Sequence, residues 1–187
     1  MKIALTGASS TGKTTLAKAL VGSEFEKTCV KEYLSFDTRR ILTNMGFHAI
    51  DDMSNDEYIE FQQQVIQAKI KNEHNKNNYI TDRSFADYAA YIITRVGVNK
   101  KSPPIEKLLR KCKKLSMTYD ITFFLPIGRV EFVPDGYRVE RADYHKRVEE
   151  EILKRLKIWN ILYYRIEKYD VRESINEVQE HIKDYLK

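Results

Sequence analysis

Near the start of the chain stand Gly7, Ala8, Ser9, Ser10, Thr11, Gly12, Lys13 and Thr14. They fit G-x-x-x-x-G-K-[ST], a pattern whose chemistry leaves few folds open. The two glycines let the backbone turn tightly, so that consecutive N–H groups converge on one anion. Lys13 adds a point charge to that concavity, and Thr14 a hydroxyl of the kind that ligates Mg²⁺. A helix starting here would aim its positive N-terminal end at the same place. The flanks agree with the motif: residues 1–6 read as a short buried strand, residues 15–20 as a helix. An ordinary glycine turn would not need the lysine and threonine in register. The expected ligand is a nucleoside triphosphate with Mg²⁺, held by Gly7, Ser9, Ser10, Thr11, Gly12, Lys13, Thr14 and Thr15.

The rest of the chain alternates strand and helix. Residues 28–31 form a β-prone run ending at Glu32 and Tyr33, followed by a helix over 35–45 that stops at Gly46. Ser54 and Glu57 make a capping box opening a long helix to about residue 74, with Tyr58, Phe61, Val65, Ala68 and Ile70 at roughly helical spacing. A third strand, 78–81, delivers Asp82, Arg83 and Ser84, and a helix runs from 85 to 96. Residues 105–117 are amphipathic, with Lys107, Arg110, Lys111 and Lys114 opposite an apolar side. Residues 119–125 make the clearest strand, rich in β-branched and aromatic types. Residues 126–142 lack periodicity and read as a loop; a helix over 143–158, a strand over 161–166 and a closing helix over 172–186 follow. Such alternation predicts a three-layer α/β/α fold around a five-stranded parallel sheet, with its ligand at the C-terminal strand ends.

Length predicts one domain, residues 1–187, with enough chain for a real core. Hydrophobic residues at 42% and charged residues at 32% exclude a disordered chain. No apolar run reaches membrane-span length. With no signal peptide ahead of the first strand, and Cys29 and Cys112 giving neither a disulfide framework nor metal spacing, the expectation is a cytoplasmic protein with reduced, buried cysteines. The net charge of +5 and pI near 9.0 suit anionic ligands and leave nucleic acid open as a partner.

Three features sort the nucleotide chemistry. A GTPase should carry Asn-Lys-x-Asp, and the two Asn-Lys strings, at Asn75 and Asn99, lack the aspartate. A remodelling ATPase should end a strand in Asp-Glu, whereas this strand ends Asp82-Arg83. Arg129, Arg138 and Arg141 fall in the late loop, residues 126–142, where nucleotide kinases keep a lid. Together with Glu32-Tyr33, Asp82-Arg83-Ser84, Asp135-Gly136-Tyr137-Arg138 and Arg147, the order of these motifs resembles the small P-loop nucleoside and nucleotide kinases. It is especially similar to the nicotinamide riboside kinase domain of a bifunctional bacterial regulator of NAD biosynthesis.

That resemblance implies the roles of individual residues. Lys13 and Thr14, with Mg²⁺, would serve the phosphate donor, ATP. Glu32 stands where such kinases keep a carboxylate beside the acceptor, to orient or deprotonate its hydroxyl; a surface glutamate at a strand end is the plainer alternative. Asp82 would join Thr14 in holding the metal through water, or cap the next helix. Arg83 would contact phosphates as a bidentate donor, and Arg138 and Arg141 would close over the transferring group. Asp37, Arg39 and Arg40 would line the acceptor pocket or be a solvated helix face, and Tyr33 and Phe36 would stack on a base or pack in the core. The four histidines form no ligand pattern.

Two other readings stay open. The cluster of Lys100, Lys101, Lys107, Arg110, Lys111, Lys113 and Lys114 would track a nucleic-acid backbone if the acceptor were a DNA or RNA 5′-hydroxyl or a hydroxylated base in DNA. It is not interleaved with aromatics, and a solvated helix face explains it equally. A non-catalytic nucleotide switch is the third reading, against which the set of catalytic positions argues. The identity of the acceptor within the small-molecule class is not legible.

Overall fold

The computed structural model describes residues 1–22, 30–97, 103–131 and 135–187. Among them five strands, β1 (Lys2–Thr6), β2 (Glu32–Leu34), β3 (Tyr79–Asp82), β4 (Ile121–Phe124) and β5 (Tyr163–Arg165), form one sheet in the order β2-β3-β1-β4-β5. Every pairing is parallel, with Leu5 opposite Asp82 and Thr6 opposite Phe124. Seven helices cover it: α1 (Lys13–Val21), α2 (Thr38–Asn44), α3 (Asn55–Glu73), α4 (Phe85–Val96), α5 (Pro103–Ser116), α6 (Ala142–Ile158) and α7 (Val171–Tyr185).

Two-residue alternation along the strands sorts the core into two layers. Ile3, Leu5, Ile80, Ile121 and Phe123 face α1 and α7, where Leu16, Ala17, Leu20, Val178 and Ile182 meet them. Ala4, Tyr79 and Phe124 face the opposite layer, built from α2 to α6. Burying each large apolar side chain contributes about 1.5–3 kcal/mol, so both layers hold strongly. The expected three-layer arrangement is the observed one.

Local signals place the helices. The Ser54 hydroxyl accepts from Glu57 N–H at 3.3 Å and the Glu57 carboxylate from Ser54 N–H at 2.8 Å, which fixes where α3 starts. On the inner side of α3, Lys69 is buried, pairs with Glu73 at 2.6 Å and donates to Thr81 of β3 at 2.7 Å. Tyr79 and Tyr119 donate to the same Glu73 carboxylate. Removing one member of such a buried pair costs about 3–5 kcal/mol, and this one locks the angle at which α3 meets the sheet.

One strand differs from expectation. β2 spans Glu32–Leu34, so Glu32 begins the strand instead of following it, and residues 28 and 29 of the expected run lie outside the described residues. The β-prone run misled because its end, Glu32-Tyr33, is itself paired, opposite Tyr79 and Ile80. Cys29, Lys100 and Lys101 lie outside the described residues; Cys112 is buried. No helix is long and apolar enough to cross a membrane among the described residues.

Candidate functional site

Strand order changes direction between β1 and β3: the connection from β1 leads outward to β2, that from β3 across to β4. A crevice opens at such a switch point above the C-terminal strand ends. Here a cavity of about 690 Å³ fills it. Its floor is residues 9–15, and Asp82, Arg83, Tyr33, Phe36 and Arg138 line it further along.

The loop after β1 has the backbone its glycines require. A Cβ on Gly7, at φ 147°, would collide with the Leu125 carbonyl oxygen, and Gly12 sits at φ 84°. Gly12 is also the N-cap of α1, with no side chain capping it, which leaves the first-turn N–H groups turned toward an anion. Gly7 lies beneath the cavity wall; Ser9, Ser10, Thr11, Gly12, Lys13, Thr14 and Thr15 form it. The Lys13 ammonium is buried and donates to Ala8 O and to Thr11 Oγ1, the latter at 3.0 Å. Burial, helped by the nearby Arg83 charge, pushes its pKa down to about 8.

β3 ends at Asp82, so its carboxylate meets that loop. Thr14 Oγ1 donates to Asp82 Oδ2, and the Tyr33 hydroxyl reaches the same oxygen at 3.4 Å. Burial alone would raise the Asp82 pKa, yet Lys13, Arg83 and the Thr14 hydrogen bond outweigh it and hold the group ionised, below the usual range. Arg83 follows at φ 73°, a left-handed conformation that a non-glycine residue adopts only under constraint. Its guanidinium lies 4.9 Å from the Tyr91 ring centre, donates to the Tyr91 hydroxyl at 3.2 Å and reaches Ser9 Oγ at 3.4 Å.

The late loop supplies Arg138, which is half-buried, lines the cavity and pairs with Asp135 at 3.3 Å. Asp135 also accepts from the N–H groups of Tyr137 and Arg138. Arg141 is exposed as the N-cap of α6 and stays outside the cavity. Arg129 binds the carbonyls of Ile166 and Lys168 and donates to Ser174 at 2.6 Å, so it ties the loop to β5 and α7. Arg147 pairs with Asp143 on the outside of α6.

Glu32 is the clearest departure from expectation. It sits at the N-terminal end of β2, pairs with Lys76 at 2.7 Å and does not line the cavity. The C-terminal end of β2 instead delivers Ser35, Phe36 and Asp37 to the wall, and Arg39 joins them; Arg40 does not.

Beyond Arg83 the cavity widens into a chamber against α3, α4 and α6 that the motifs did not disclose. Tyr58, Phe61, Val65, Tyr88, Tyr91 and Tyr144 make it largely aromatic, and Gln62 and His145 bring further polar groups to it. Gln62 is 4% exposed; its Nε2 donates to the Tyr58 hydroxyl at 2.9 Å, and its Oε1 has no hydrogen-bond partner among the described residues. The signal was present in the sequence: a glutamine on the apolar stripe of α3, four residues after Tyr58 and beside Phe61. The other residue the motifs missed is Asp87, fully buried behind Ser84.

A family model described as "AAA domain" matches residues 2–174. The chain belongs to that family. A search of curated protein sequences finds no match. Among solved structures, deoxyadenosine kinase from M. mycoides, with products dCMP and a flexible dCDP bound, superposes with a TM-score of 0.69 at 13% identity, covering 98% of this chain and 100% of that one. Thymidylate kinase from Ehrlichia chaffeensis gives 0.59 at 18% identity, covering 97% and 98%. The NadR protein in complex with NR gives 0.64 at 17% identity, covering 96% of this chain and 48% of that one. The chain therefore spans about half the length of NadR. What it shares with all three is the fold, that of the P-loop kinases.

Proposed function

We propose that the chain is an ATP- and Mg²⁺-dependent kinase that transfers the γ-phosphoryl group to a hydroxyl or phosphate of a nucleoside or nucleotide. One observation carries this reading. A single cavity joins the phosphate loop to an aromatic chamber with a buried, unpaired amide oxygen, and Asp82 and Arg83 stand at the junction. Aromatic faces and one amide suit a nucleobase better than a polymer or a bare anion. The acceptor oxygen bonds to the γ-phosphorus as the bond to the β–γ bridging oxygen breaks, and a hydroxyl acceptor sheds its proton toward a carboxylate. Asp37, the N-cap of α2, lines the cavity and is the carboxylate that would serve the acceptor in place of Glu32.

The donor side follows from the geometry. Lys13 and the N-terminus of α1 neutralise phosphate charge; Arg83 and Arg138 approach from the acceptor side. Thr14 and Asp82, one hydroxyl and one ionised carboxylate already in contact, fit Mg²⁺, which takes few protein ligands and completes its shell with water and phosphate oxygens. When bound, that ion offsets charge on the phosphates. Arg141 does not line the cavity among the described residues, and no role is proposed for it.

The test is a γ-labelled ATP screen over nucleosides, nucleoside monophosphates, nicotinamide riboside and DNA oligonucleotides with 5′-hydroxyl ends or modified bases. Label is expected on a small molecule. The basic residues of α5 line no part of the cavity, so label on DNA alone overturns this reading.

Three further outcomes are expected. Glu32→Gln leaves turnover within about twofold of wild type, because an exposed pair with Lys76 is worth only about 0–1 kcal/mol; a large loss in steady-state turnover would return Glu32 to the mechanism. Gln62→Leu raises KM for the acceptor about 10- to 100-fold with KM for ATP unchanged, since a base edge loses its buried partner; an unaltered acceptor KM removes Gln62 from recognition. The pH profile of kcat/KM for ATP is level up to about pH 8, the Lys13 pKa, and then declines, because the free enzyme loses the ammonium above that value. Bound phosphates hold that proton, so kcat declines only at higher pH, and a kcat/KM profile level to pH 10 would contradict the assignment.

A further inference from the structure

The ladder between β1 and β3 ends where the chemistry begins. Its last backbone bond runs from Arg83 N–H to Leu5 O at 2.9 Å, after which the two chains diverge, one into the phosphate loop and the other into Arg83 and Ser84. Asp87 bridges the divergence. Its Oδ2 accepts from Ser84 N–H at 2.8 Å, Ser84 Oγ at 2.7 Å and Thr6 Oγ1 at 2.6 Å; its Oδ1 accepts from Gly7 N–H at 2.9 Å.

A helix cap accounts for the Ser84 bonds only. The bonds to Thr6 and Gly7 cross to the other strand and hold the first residue of the phosphate loop, at the point where Leu125 O leaves no room on the opposite side. Arg83, held in its left-handed conformation between the ladder and this carboxylate, has its NH1 3.9 Å from Asp87. The carboxylate is fully buried and accepts all four of these hydrogen bonds.

Resting on the kinase reading above, we infer that Asp87 is a positioning residue: it fixes the spacing between the phosphate loop, which carries Thr14, and the strand end, which carries Asp82 and Arg83. The metal site is made of one oxygen from each segment, so an error in their spacing splits it. Asp87 reaches the site through Thr6, Gly7 and Ser84 and through its pairing with Arg83 at 3.9 Å.

Asp87→Asn keeps the shape and turns an NH₂ toward those donors. Turnover is expected to fall about 100-fold, and the Mn²⁺ concentration for half-maximal binding of a fluorescent ATP analogue to rise about tenfold. Thr6→Val removes one loop-side bond, leaves the helix cap intact, and shows both changes in smaller measure with a wild-type thermal midpoint. Ser84→Ala removes the cap bond together with the longer contact of its hydroxyl to Thr6 Oγ1 at 3.2 Å; it lowers the thermal midpoint and shifts the metal dependence less than Thr6→Val does. Wild-type metal dependence in Thr6→Val overturns the inference, whether or not Asp87→Asn folds. So does a metal defect that appears in Ser84→Ala and not in Thr6→Val, which would make Asp87 a helix cap. If the wild type phosphorylates no acceptor while metal-dependent binding still shifts in Asp87→Asn and Thr6→Val, the kinase reading fails and the positioning role holds.

Discussion

Lys13→Ala is expected to remove nearly all phosphoryl transfer and to leave a protein at least as stable as the wild type near pH 7. The two halves of this result have one cause. Lys13 is buried, faces Arg83 and has its pKa pushed from 10.5 to about 8. That depression corresponds to roughly 3 kcal/mol held against the charged form in the folded protein. Alanine removes the strain together with the charge, and the lost packing of the lysine stem offsets part of the gain. The phosphate oxygens lose their buried cation, for which a rate loss on the order of 10³-fold, about 4 kcal/mol, is the expected scale. The wild type binds fewer protons folded than unfolded between pH 8 and 10.5, so the Lys13 contribution to stability rises with pH across that window. The variant lacks this rise. Transfer assays with thermal melts at pH 7 and pH 10 check both halves. Residual turnover near wild type would dissolve the link between the loop and the chemistry, and a large drop in melting temperature at pH 7 would contradict the electrostatic account.

Asp82→Asn carries the second largest effect. Its carboxylate is held ionised by Lys13, Arg83 and the Thr14 hydroxyl, against the cost of burial. The amide has the same shape and can still accept from Thr14, so the fold is preserved. What is lost is the negative charge that offsets two cations and, on the proposed function, would hold the divalent ion. Turnover is expected to fall on the order of 10³-fold at saturating ATP, with the metal concentration for half-maximal activity rising about 10- to 100-fold. A titration of turnover against Mg²⁺ and then Mn²⁺ reads both. Wild-type metal dependence with lowered turnover would move Asp82 from the ion to the acceptor proton. Unchanged turnover would leave it a structural partner of Thr14.

The phosphate loop, the parallel sheet, the helix starts and the Asp82–Arg83 turn were legible in the sequence because each depends on residues close together in the chain. Gly7 needs its conformation whatever else is present, and Ser54 and Glu57 cap one another across three residues. The Glu32 error was of the kind local reading makes. Moving β2 from residues 28–31 to Glu32–Leu34 carries Glu32 from the C-terminal end to the start, and with it from the ligand edge of the sheet to the opposite one. No pattern within ten residues could settle that, because register is set by pairing with β3 at Tyr79 and Ile80.

The acceptor chamber and the Asp87 bridge were decided by tertiary structure. Gln62 is merely a glutamine on an amphipathic helix until α3 is pressed on the sheet by Lys69 and Glu73, which turns it inward among aromatic rings. Asp87 has an evident local role as a helix cap, and its bonds to Thr6 and Gly7 connect residues eighty apart. The sequence by itself determined that the chain sets a loop of the phosphate-binding pattern at the C-terminal edge of a parallel sheet, since backbone geometry and charge at one loop suffice for that. Only the tertiary structure decided what faces the loop across the crevice, because a pocket is a relation between surfaces from distant segments, and their approach depends on packing and register.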